Sequence, residues 1–137
     1  MNNTNDSIRI VIDTNVFISA IVFGGKPRQV INLVADDSVT FIMAEAIITE
    51  LRRIIVSKFP GFLEDLMKVE KLLEQDAEWV KLGFNTERIT RDPNDDKFIE
   101  TALIGNCHYI ISGDKDLLDL KEYKGIKILS PAGFLSL

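Results

Sequence analysis

A single cysteine, Cys107, stands in this chain of 137 residues, so no internal disulfide can form. That excludes a disulfide-stapled scaffold and fits a reducing compartment. Histidine is as scarce: His108 is the only one, directly after Cys107, and this adjacent pair offers no spacing for a zinc site. His108 reads as a loop residue rather than a catalytic base. No apolar run approaches the roughly 18 residues of a membrane span. The opening MNNTNDS lacks the basic-then-apolar pattern of a signal peptide. A cytoplasmic protein with no membrane partner is therefore expected. Positive charge is also short, with 16 Lys and Arg against 21 Asp and Glu and a net charge of −5. Taken alone, that weighs against nucleic-acid binding. It weighs less if the acids cluster around a cation, because net charge then describes the empty site.

What is present is a globular composition, 46% hydrophobic and 27% charged, at the size of one ordinary domain with one core. Residues 1–7 read as a disordered tail and 8–137 as a single domain, with no repeat, linker or low-complexity tract. Short β-branched runs predict strands at Ile8–Ile12, Val39–Met43, Tyr109–Ser112 and Ile126–Leu129, and a weaker one at Glu78–Leu82. Helical spacing of apolar residues predicts helices over Val16–Val22, Arg28–Ala35, Ala44–Val56, Phe62–Asp76 and Asp96–Gly105. Gly24-Gly25-Lys26-Pro27 and Phe59-Pro60-Gly61 punctuate them. Gly113–Leu120 reads as a loop running into a helical turn, and Pro131–Leu137 as a short tail. Trp79 and the phenylalanines read as core. Alternating strands and helices predict a mainly parallel sheet with helices on both faces, and ligands then gather at the carboxyl ends of the strands.

Acids stand at those ends. Asp13 follows the first strand, Glu50 lies in the helix after the second, and Asp92, Asp95 and Asp96 lead into a helix. Asp114 and Asp116 follow the Tyr109–Ser112 strand. Close carboxylates repel one another, and a hard divalent cation such as Mg²⁺ or Mn²⁺ relieves the conflict through oxygen ligands. A metal so held polarises a phosphate and acidifies water, which implies phosphodiester hydrolysis. Simpler readings stand beside this one. Asp13 is placed to cap a helix, Glu50 to pair with Arg53 one turn on, and Asp92 to start a turn. Asp95 and Asp96 straddle a helix start, and pattern alone does not divide them. Lys26, Arg28, Arg52, Lys97 and Lys115 are cations near these loops, each a solvated charge or a phosphate contact.

The stretches IRIVIDTNVFISA (8–20), ITELRRII (48–55), RDPNDDKFIETALIGNCHYIISGDKDLL (91–118) and IKILSPAGFL (126–135) together resemble the PIN domain family. More narrowly they resemble its VapC-like toxins of toxin–antitoxin pairs. The resemblance implies a three-layer α/β/α sandwich, Rossmann-like, on a mainly parallel sheet. It implies an Mg²⁺- or Mn²⁺-dependent endoribonuclease of single-stranded RNA, often a homodimer, held inactive by a cognate antitoxin. It matches the family's acid quartet to Asp13, Glu50, Asp96 and Asp114, with Asp116 as a supporting metal ligand. Asn15 and Ser112 match polar positions that brace the acids. Two other readings remain: a nuclease acting on DNA, and a PIN-fold binding domain with little or no catalysis.

Overall fold

A computed structural model describes residues 7–83 and 96–137. Six strands form one sheet in the order β3-β2-β1-β4-β6-β5, named along the chain. They are β1 (Ile8–Ile12), β2 (Val39–Met43), β3 (Glu78–Trp79), β4 (Tyr109–Ile111), β5 (Glu122–Tyr123) and β6 (Ile126–Leu129). All neighbours pair in parallel except β5 with β6. The helices are α1 (Thr14–Val22), α2 (Gly25–Ile31), α3 (Glu45–Lys58), α4 (Leu63–Asp76), α5 (Asp96–Ile104), α6 (Lys115–Leu120) and α7 (Pro131–Leu135). Together they make the expected three-layer α/β/α sandwich on a mainly parallel sheet. No helix among the described residues is long and apolar enough to cross a membrane.

The central strands are deeply buried. Ile10, Val11 and Ile12 of β1 are sealed from solvent, as are Phe41, Ile42 and Met43 of β2 and Ile110 and Ile111 of β4. β-Branched side chains fit a pleated surface packed on both faces, which is why these short runs form strands here. Helix α5 leads into β4 and packs on β1, so it runs opposite to the strands and starts at their carboxyl rim. Its far end is pinned. Arg9 Nε donates to the Gly105 carbonyl at 2.8 Å while its guanidinium pairs with Glu78. A cation at a helix carboxyl end is favourable. Gly105 itself lies so close to β2 that an added Cβ would fall 2.5 Å from Ile42 Cγ2.

Several elements depart from the expectation. Ser7, expected in the tail, is buried and shares a 2.7 Å hydrogen bond with Thr40; residues 1–6 lie outside the described residues. Helix α2 starts at Gly25 rather than Arg28, because Pro27 sits in a first turn that needs no donor from it. The expected tail after Ser130 contains α7, capped by the Ser130 hydroxyl, which accepts from Gly133 N at 3.0 Å. Strand β5 was not expected. Trp79 is 37% exposed and Phe23 79%, so neither is core, although Phe17, Phe41, Phe98 and Phe134 are. An indole needs a partner for its N–H, and that of Trp79 finds the Leu73 carbonyl at 3.0 Å near the surface.

Candidate active site

Parallel pairing of β1 with β4 runs Ile12 against Ile111 and continues past both strands. Asp13 N donates to the Ile111 carbonyl at 3.0 Å, and Ser112 N to that of Leu129 at 2.9 Å. This register sets Asp13 beside Ser112 at the carboxyl ends of the two central strands. The Ser112 hydroxyl donates to Asp13 Oδ2, and Val16 N donates to Asp13 Oδ1 at 2.9 Å. Asp13 is thus the N-cap of α1, as its simpler reading held. The same serine oxygen accepts from Asp114 N at 2.9 Å. Ser112 therefore ties the two acids together. Asp114 caps α6 in turn, its Oδ1 accepting from Asp116 N at 2.7 Å.

Asp13 is 2% exposed. Burial pushes its carboxyl up from 3.8 to about 6, against the hydrogen bonds from Ser112 and Val16, and the charge of Asp114 adds to the rise. A carboxylate in that state is costly to ionise without a cation. Cys107 offers no competing chemistry: burial pushes its thiol up to about 12. Asp116 is half-buried beside Asp114, on the first turn of α6. Asn15 is exposed.

The other two acids stand on the neighbouring helices. Glu50 Oε2 lies 2.8 Å from Lys97 Nζ, an ion pair joining α3 to the first turn of α5. Lys97 rather than Arg53 is its partner, a contact between residues 47 apart that local spacing does not announce. Asp96 immediately precedes Lys97 and opens α5, half-buried. Asp92 and Asp95 lie outside the described residues. Asp13 is thus joined to Asp114 through Ser112, and Glu50 to Lys97, the neighbour of Asp96. Among the described residues no three such side chains stand close enough to hold a metal ion as a ready-made cluster. A two-carboxylate site still suits Mg²⁺, which takes one or two protein carboxylates and completes its octahedron with water. The donors are hard oxygens, and the buried Asp13 carboxyl gains most from a cation, so Asp13 and Asp114 fit that role.

Two of the other four candidate cations are engaged elsewhere. Arg28 donates to the carbonyls of Ala20 and Ile21 near the end of α1, at 3.0 and 3.2 Å. Arg52 pairs with Glu70 on α4. Lys26 and Lys115 are exposed. Sequence reasoning missed Thr14. It is 3% exposed, next to Asp13, and its hydroxyl is the buried side-chain polar atom without a partner among the described residues.

Comparison with known proteins bears on the fold. The chain is 33% identical over 126 residues to an uncharacterized protein of Methanocaldococcus jannaschii, covering 88% of this chain and 81% of the relative. Its fold resembles that of VapBC2 from Rickettsia felis, solved bound to a DNA fragment from their promoter. The TM-score is 0.61 at 12% identity, over 88% of this chain and 97% of that one. It also resembles the PIN domain endonuclease Utp24, with a TM-score of 0.60 at 15% identity, over 93% of this chain and 88% of that one. The PIN domain pattern itself matches residues 9–116, from the base of β1 through the Asp114–Asp116 turn, and the chain belongs to the PIN domain family.

Proposed function

We propose that this chain is an Mg²⁺- or Mn²⁺-dependent endoribonuclease of single-stranded RNA, the toxin of a toxin–antitoxin pair. The observation that carries the reading is the buried Asp13 carboxylate at the end of the central strand, tied through Ser112 to Asp114. Asp13 and Asp114 would hold the cation, with Asp96 and Asp116 as supporting acids at the same rim. When bound, the cation supplies Lewis acidity at the phosphodiester. Ser112 keeps Asp13 aimed by a charge-assisted hydrogen bond. The Asp116 N–H keeps Asp114 from turning away. Glu50 would orient the attacking water. No histidine is asked to act as base. Membership of the PIN family and the fold shared with VapBC2 support the toxin reading and with it an antitoxin partner; a homodimer belongs to the same proposal. Incubation of the protein with single-stranded RNA should give cleavage in Mg²⁺ or Mn²⁺ that EDTA stops. Cleavage of flap DNA in preference to RNA would reassign the substrate.

A second reading, partner binding without cleavage, is favoured by one observation: among the described residues no three acids form one cluster. Full-length RNA after long incubation with either metal would favour it.

A further inference from the structure

The ion pair between Glu50 and Lys97 is oddly placed for a mere strut. Lys97 is the second residue of α5, where the helix dipole disfavours a positive charge. A lysine stationed there, one residue from Asp96, is held against the local field by something else. Glu50 supplies that hold at 2.8 Å, and the Phe98 ring lies 5.0 Å from the ammonium. Both side chains are mostly shielded, 17% and 20% exposed, so water screens the pair only in part. The carboxylate expected to serve the reaction thus already carries a cation. A divalent ion at the same rim would meet that cation as a like charge and as a rival for Glu50.

We propose that Lys97 is the resident counter-ion of this site: it holds Glu50 while no divalent cation is bound and releases it when one binds. Lys97 is in this sense a positioning residue that acts through Glu50. The proposal rests on the metal-dependent reading above. By linkage, whatever a bound metal does to the Lys97–Glu50 pair, the pair does in reverse to metal affinity. A lysine that stayed paired with Glu50 through metal binding would still repel the metal, but its own surroundings would not change.

The test is calorimetric titration of the RNA-free protein with Mn²⁺, for wild type, Lys97→Met and Lys97→Arg. Removal of the charge should tighten Mn²⁺ binding by about tenfold, the size expected of one unit charge near a divalent ion in a partly shielded site. Lys97→Arg, which keeps the charge, should bind as wild type does. Unchanged or weaker binding by Lys97→Met would overturn the proposal and leave Lys97 a strut. A wild type that binds no Mn²⁺ at all would instead sink the metal-dependent reading beneath it. A second measurement guards against a variant that does not fold. In the reductively ¹³C-methylated wild-type protein, the Lys97 methyl resonance should move on addition of Mg²⁺. A resonance that stays in place at saturating Mg²⁺ would also overturn the proposal.

Discussion

The two pairs, Asp13 with Asp114 and Glu50 with Lys97, meet the same electrostatic problem in opposite ways. Asp13 is sealed from water and has only hydrogen-bond donors and the like charge of Asp114 for company, so burial raises its affinity for a proton. Glu50 is half-buried and carries an ammonium from a neighbouring helix. One pair is short of positive charge and the other is supplied with it. The difference teaches where a cation gains most. It gains at Asp13, where nothing already neutralises the carboxylate, and less at Glu50, where a lysine must first be displaced.

Breaking the first pair should have the largest effect. Asp13→Asn should lower RNA cleavage on the order of 10³-fold, the scale at which removal of one charge-stabilising group acts. Glu50→Gln should cost less, and equal losses would erase the distinction between the pairs. Ser112→Ala removes the hydrogen bond that aims Asp13 and the acceptor of Asp114 N, so Mn²⁺ affinity should fall about 10–100-fold, as is common when a supporting partner of a metal ligand is lost. Titration calorimetry reads that loss directly.

Acid dependence sharpens the contrast further. A carboxyl whose folded-state pKa lies above its unfolded value binds more protons when folded. Asp13 therefore favours the fold below 3.8, and that advantage is lost as pH rises through about 6. In EDTA, wild type should lose stability relative to Asp13→Asn across that window, by an amount on the order of 3 kcal/mol at most. Denaturant unfolding at several pH values measures it, and parallel curves would contradict the assignment. The smallest effect belongs to Thr14. Thr14→Val removes an unpaired buried hydroxyl and should raise stability by about 1 kcal/mol in the metal-free protein. If cleavage falls while thermal stability rises, the hydroxyl serves substrate.

Much of the scaffold was legible because its strands are short β-branched runs that admit one reading. Ile8–Ile12, Val39–Met43 and Ile126–Leu129 fall where those residues alone place them. Asp13 and Asp114 follow such runs, so the strand-end rule found them. Helix α7 was missed although Ser130-Pro131 is a legitimate start signal, because a five-residue helix has too little periodicity to register. Strand β5 has two residues and owes its existence to β6. The Lys97–Glu50 pair was not legible at all. It joins two helices across 47 residues, while the sequence offered Arg53 one turn away. Local spacing proposes local partners, and packing chose a remote one.

The most direct measurement is Mn²⁺ binding to the RNA-free wild type and to Asp13→Asn, each checked for retained fold by circular dichroism. The expected result is binding by the wild type that the variant loses. Equal binding by both proteins would contradict the claim that the buried carboxylate at the end of β1 is the anchor of a cation site.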